Sequence, residues 1–304
     1  MLYNVQRRLR SFHFDFQIRG VIHTPPLKVI DAPLTIFSMV GTGDVLMYLL
    51  SIKSFYSKIR KGKITAIVDR DMPERLRSLI CNHLMGVRLV DLESLDPGKC
   101  QRGGTWERLV HMVDHSQHEF AIQLDADTLS CGPDLREIED CVADNRSFCY
   151  RDPWPFPEIL TLREMASESR KTKSNYIGIV AERLFDRLPH CDERKYIRGS
   201  SGLAGFAKGG FERGELEEFH DKMARLLGDA WYEWGTEQCG SNYCIANSPG
   251  ARVLPVEYRT YSPDTPQALL TAAKFLHFVG AVRFNHGYFA KRGLSVIREL
   301  IETP

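Results

Sequence analysis

Between Leu34 and Leu124 the chain alternates short β-rich apolar runs with segments of helical periodicity. Leu34 to Val40 is the first run, closed by Gly41-Thr42-Gly43-Asp44, and Val45 to Tyr56 follows with apolar residues at helical spacing. Lys63 to Val68 is a second strand closed by Asp69, and Met72-Pro73-Glu74 opens a helix running to about Leu84. Val87 to Leu92 is a third strand. Thr105 stands as N-cap to a helix from Trp106 to about Ser116, and a last strand ends at Asp125. Strand–helix alternation with right-handed crossovers predicts a parallel, doubly wound α/β sheet. Ligands of such sheets bind beyond the carboxyl ends of the strands. Ser38 to Asp44, Asp69 and Asp125 all fall at those ends.

The last strand, Phe120-Ala121-Ile122-Gln123-Leu124, stops abruptly in Asp125-Ala126-Asp127-Thr128. In extended backbone, side chains two apart share a side. Asp125 and Asp127 then form a hard oxygen site suited to Mg²⁺ or Mn²⁺, with phosphates completing the shell. The competing reading is an ordinary surface Asp-x-Asp turn. The position at a strand end favours the metal.

The rest of the chain narrows the class. With 304 residues, 43% hydrophobic and 26% charged, it has a soluble globular composition. A net charge of +1 points to no nucleic-acid partner. No stretch has the length and apolarity of a membrane span, and Met1 to Arg10 lacks the apolar core of a secretory signal. Leu2, Val5 and Leu9 beside Arg7, Arg8 and Arg10 allow a peripheral membrane contact, though an ordinary N-terminal helix is the simpler reading. The eight cysteines form no Cys-x-x-Cys pair and read as reduced thiols of a cytoplasmic protein. Arg151 to Pro157, with three prolines, excludes a helix interior or central strand. Thr161 to Leu188 reads as mostly helical, Tyr196 to Phe211 as a glycine-rich stretch of tight turns or close backbone approach, Glu212 to Trp231 as a helix, Val253 to Val256 as a short strand and Leu294 to Ile301 as a helix.

Four patches, in order, resemble retaining glycosyltransferases of the GT-A fold, most closely the family 8 group of glycogenin-like and bacterial lipopolysaccharide galactosyl- and glucosyltransferases. Thr105-Trp106-Glu107-Arg108-Leu109 is similar to the family's helix start, and Leu124-Asp125-Ala126-Asp127-Thr128 to its strand-end Asp-x-Asp. Trp234-Gly235-Thr236-Glu237-Gln238 stands in the place of its Asp-Gln pair, and His277-Phe278-Val279-Gly280-Ala281-Val282-Arg283 is similar to its His-x-x-Gly-x-x-Lys. The resemblance covers roughly residues 34 to 285. It implies one GT-A domain over 1–304, an α/β, Rossmann-like nucleotide-diphospho-sugar transferase with a mixed sheet flanked by helices. Residues 34–150 would be the nucleotide-sugar-binding half and 151–285 the acceptor-side half, with a helical insertion at about 152–190 and a C-terminal helix over 286–304.

The roles follow from the resemblance. Asp125, Asp127 and His277 would hold Mn²⁺ (or Mg²⁺), an imidazole ligand tipping the choice to manganese. Ser38, Val40, Thr42 and Asp69 would cradle base and ribose. Arg108, Ser200, Gly202, Gly280 and Arg283 would contact the donor sugar and diphosphate, and Glu237 and Gln238 would act at the sugar or acceptor. Three positions depart from the family: Ser200 replaces an Asn, Glu237 an Asp and Arg283 a Lys. The expected activity is metal-dependent transfer from a nucleotide-sugar, a UDP-sugar for preference, to a glycan, lipid-linked or protein hydroxyl, with retention. The alternatives are a catalytically silent nucleotide-sugar-binding scaffold and a sugar-nucleotide nucleotidyltransferase. The latter usually carries an Arg in the glycine-rich loop after the first strand, which Gly41-Thr42-Gly43-Asp44 lacks.

Overall fold

The structure is a computed structural model describing residues 2–151 and 159–302. The proline–aromatic segment and the start of the expected insertion, 152–158, lie outside the described residues. The chain gathers into two compact units. One comprises Met1–Asp91, Leu124–Glu139 and Val256–Pro304, the other Leu92–Gln123 and Asp140–Pro255.

The first unit contains the strands Leu34–Val40, Lys63–Val68 and Arg88–Asp91, all parallel. The near-continuous burial of the first two is what parallel strands covered on both faces require, while Arg88–Asp91 at the sheet edge is only partly covered. The register pairs Val40 with Val68, so Gly41 and Asp69 leave the sheet at one edge. A three-stranded sheet holds Thr128–Ser130, Phe275–His277 and Tyr258–Thr260, the first pair antiparallel and the second parallel. The helices Leu2–Ile18, Val45–Ile59 and Tyr288–Glu302 pack together, with Phe289 stacked on Phe278 at 4.1 Å and meeting Phe14 at 4.7 Å. Leu27–Lys28 and Leu84–Met85 make a small parallel pair.

The second unit orders Arg252–Leu254, Phe148–Arg151, Gly199–Phe206 and Phe120–Leu124 as neighbours, with Gly199–Phe206 antiparallel and Arg252–Leu254 parallel to Phe148–Arg151. Trp106–Ser116, Arg213–Leu227 and Glu237–Asn247 are its main helices. They share an aromatic core in which Phe219 stacks on Tyr243 at 4.2 Å, and Trp106 Nε1 donates to Thr236 Oγ1 at 3.2 Å. The architecture is therefore α/β with a mixed sheet flanked by helices.

Two local expectations change. Thr105 precedes its helix, but it is left-handed (φ 72°) and its Oγ1 donates to Gly104 O instead of capping. Glu107 takes over the local anchoring, accepting from Gly103 N at 2.6 Å. The glycine-rich stretch is mainly a buried strand, not a set of turns. Its glycines are needed because the neighbours are crowded: a Cβ at Gly199 would sit 2.5 Å from Cys149 Sγ, and one at Gly205 would strike the Phe148 ring.

Candidate metal centre

Asp125 and Asp127 occupy the short turn between Phe120–Leu124 and Thr128–Ser130. They converge through that turn rather than along extended backbone. The turn is tied to the Val45–Ile59 helix. Thr128 Oγ1 donates to Asp125 O at 2.8 Å, and Ser51 Oγ lies 2.6 Å from Thr128 Oγ1 and 3.0 Å from the same carbonyl. Phe278 N donates to Asp127 O at 2.9 Å. His277 arrives by strand register, since it pairs directly with Thr128.

His277 Nε2 stands 3.2 Å from Asp127 Oδ1 and 4.0 Å from Asp125 Oδ2. One ligand atom from each residue lies within 4.8 Å of the others. An octahedral divalent ion with bonds of about 2.1 Å spaces its donors by roughly 3 Å (cis) to 4 Å (trans), so the donor set suits such an ion and both His277 separations fall in that range. Asp127 is 5% exposed and His277 6%, whereas the Asp125 side chain keeps 26% of its surface open, leaving a side for further ligands.

Arg283 completes the cluster. Gly280, left-handed at φ 61°, starts the turn Gly280–Phe284 that returns the chain, and Arg283 Nη2 donates to Asp127 Oδ2. Its Nε donates to Phe278 O at 3.3 Å. Burial alone would push the Asp127 carboxyl up, but His277 and Arg283 outweigh it and bring the pKa down to about 2. Burial works against a charged His277 too; the Asp127 charge and hydrogen bond overcome it and hold the imidazole above its usual range. The centre is thus an imidazole and a guanidinium folded over a buried carboxylate, with Asp125 alongside.

The other expected residues sort by unit. In the first, Ser38 is buried, with no hydrogen-bond partner for its Oγ among the described residues, and Val40, Thr42 and Asp69 line the strand-end edge. In the second, Arg108 Nη2 and Glu237 Oε1 lie 3.9 Å apart, both buried. Gln238 Oε1 accepts from Ser201 N at 3.3 Å, and Ser200 Oγ accepts from Gly202 N at 3.3 Å. Sequence reasoning missed Gln123, whose Nε2 donates to Ser201 O. The backbone N–H and C=O of Ser201 are therefore each held by a glutamine, where the pairing of Gly199–Phe206 with Phe148–Arg151 slips register. The signal was a lone amide in the apolar run Phe120 to Leu124. Ser51 was also missed, hidden in an apolar helix.

The α/β architecture, a mixed sheet flanked by helices, is a GT-A-like fold. No family model matches the chain, and no curated protein sequence gives a significant match. Among solved structures, the chain is similar to the bifunctional glycosyltransferase WbbM in its apo form, at 13% identity and a TM-score of 0.50, covering 88% of this chain and 51% of that one. This chain thus spans about half the length of WbbM. Mouse xyloside xylosyltransferase 1 (12% identity, TM-score 0.44, 83% and 98% covered) and galactosyltransferase LgtC with donor and acceptor sugar analogs (11%, 0.46, 89% and 97%) are also similar. Among the described residues no helix is long and apolar enough to cross a membrane.

Proposed function

We propose that the chain is a metal-dependent glycosyltransferase that moves a sugar from a nucleotide-sugar, by preference a UDP-sugar, to a hydroxyl acceptor with retention. The observation that carries this reading is the convergence of Asp125, Asp127 and His277 ligand atoms within 4.8 Å in a GT-A fold. WbbM, a glycosyltransferase by name, shares that fold. Mn²⁺ held by these three residues would supply Lewis-acid stabilisation of the leaving diphosphate. Arg283, released from Asp127, would add its planar fork to the same phosphates. Ser38, Val40, Thr42 and Asp69 are assigned to base and ribose. Arg108, Ser200, Gly202, Glu237 and Gln238 are assigned to the sugar and the acceptor. Gly280 is assigned through the turn that returns Arg283.

In the reaction the bond from the anomeric carbon to the phosphate oxygen breaks as the acceptor oxygen attacks from the same face, and the acceptor proton passes to the leaving phosphate. The chain's part is positioning and charge stabilisation, with Gln238 or the backbone at Gly202 assigned to steadying the oxocarbenium-like centre. The test is a panel of nucleotide-sugars assayed for Mn²⁺-dependent release of nucleoside diphosphate, with Asp125→Asn and Asp127→Asn as controls. Release that disappears in both variants supports the proposal. Equal release by wild type and variants refutes the metal assignment. A wild type that binds UDP with Mn²⁺ yet never releases it from any donor is the silent scaffold instead.

A further inference from the structure

The N-terminal helix Leu2–Ile18 has a role that the metal centre does not use. Phe14 and Ile18 are buried, and Phe14 packs on Phe284 and Phe289 at 5.4 and 4.7 Å. Beside this contact lies a cavity of about 330 Å³ whose polar lining is Arg10, His13, Gln17 and Arg283, over an aromatic floor of Phe14 and Phe284. The helical residues fall at i, i+3, i+4 and i+7, one continuous stripe. No carboxylate lines the cavity among the described residues. Two guanidiniums stay charged at any working pH; Arg10 Nη1 donates to Asn285 Oδ1 and Arg283 Nη2 to Asp127, and the remaining N–H donors suit a tetrahedral oxyanion. The volume is within the range of small-ligand pockets, roughly 300 Å³ and upward, and leaves room for a sugar-sized body behind one phosphate.

We propose that this cavity is a phosphate-ester subsite, taking a phosphate group carried on a sugar-sized body. It is separate from the Asp125–Asp127–His277 cluster but shares a wall with it, because Arg283 both lines the cavity and donates to Asp127. An oxyanion in the cavity draws on the guanidinium that otherwise covers the metal-binding carboxylate, so occupancy of the two sites is linked. Binding in the cavity does not depend on the glycosyltransferase reading; that reading only makes a phosphorylated acceptor its natural occupant. The phosphate has two sources, a soluble phospho-sugar or a lipid headgroup. The second is suggested by the adjoining flank of the same helix, where Phe12 and Phe16 are 73% and 55% exposed and Arg19 stacks over Phe16 at 4.4 Å.

The experiment uses the full chain without metal. Glucose 6-phosphate is titrated calorimetrically, with glucose as the neutral control. In parallel, the protein is sedimented with phosphatidylcholine vesicles with and without phosphatidylglycerol. Arg10→Gln combined with His13→Gln alters two polar side chains of the lining and leaves the buried face of the helix intact. Losing these charge-assisted bonds weakens phosphate-ester binding about tenfold or more. Mn²⁺ binding by that double variant is unchanged, while Asp125→Asn loses Mn²⁺ and keeps the phosphate ester. Failure of the metal reading and failure of the subsite therefore show in different variants. Saturable glucose 6-phosphate binding that the double variant loses supports the subsite with a soluble ligand. Sedimentation that needs phosphatidylglycerol and is lost in the double variant supports it with a headgroup. Neither signal in the wild type, or every signal of the wild type surviving in the double variant, overturns it.

Discussion

Arg283→Met separates the two faces of the metal centre. Without an ion, Asp127 is a nearly fully buried carboxylate held by His277 and Arg283, and those cations keep it ionised against the cost of burial. A divalent ion at Asp127 Oδ1, the oxygen facing His277, draws on the same carboxylate charge that Arg283 neutralises at Oδ2, so the guanidinium competes with the metal. A hydrogen bond to a charged group is worth about 1.5–3 kcal/mol, which corresponds to roughly tenfold to a hundredfold in affinity. The Arg283 side chain is 20% exposed, so solvent screens part of the attraction and the lower end applies. Methionine keeps the length of the chain and removes the charge. We expect Mn²⁺, counted as free ion by its paramagnetic resonance signal, to bind Arg283→Met about tenfold more tightly than wild type. The metal-free variant unfolds at a lower temperature, because the carboxylate has lost a partner. Nucleotide-sugar turnover falls although the metal binds better, because the fork assigned to the diphosphate is gone. Mn²⁺ affinity that is unchanged or weaker in Arg283→Met refutes the competition argument, whatever happens to turnover.

Two further outcomes follow from particular contacts. Gln123→Leu leaves the Ser201 carbonyl without its amide donor in a fully buried strand, a loss of about 1–3 kcal/mol that a denaturant titration reads directly, and an unchanged midpoint refutes the clamp. The pH dependence has two limbs. Asp127 is held below its ordinary value of 3.8, so its contribution is complete above that pH and is lost as pH falls toward about 2. His277 is held above its ordinary 6.5, so its contribution is complete below that pH and is lost as pH rises through the elevated value. The pair therefore supports the metal-free fold best between roughly pH 4 and 6.5. Mn²⁺ affinity climbs above that window, because the proton on His277 must leave before the nitrogen can ligate. Mn²⁺ titrations across this range showing flat affinity would remove His277 from the ligand set.

The strands that carry the site were legible where burial is uniform and the ends are marked. Leu34–Val40 and Lys63–Val68 match their sequence reading residue for residue, because apolar β-rich runs are bounded there by glycine or aspartate. Phe275–His277 was not, since three residues there show no period; its identity comes from a partner far away in the chain. The same reasoning explains the glycine-rich strand, where composition reports freedom of the backbone but the cause is crowding by Cys149 and Phe148.

Arg283 shows most plainly what local pattern leaves out. Its position in the sequence marks a cation for a donor phosphate, and nothing nearby says what it does when no phosphate is present. The fold answers that by carrying Thr128 alongside His277 and by turning at Gly280, so that the same guanidinium closes on Asp127. A buried carboxylate next to a histidine would otherwise be costly to leave uncovered. The residue expected to help release the donor thus also pairs with the carboxylate assigned to the metal, and phosphate binding at Arg283 would exchange that partner. That exchange links the order in which ligands bind to one side chain, and it is why the charge at position 283 matters more than its resemblance to lysine.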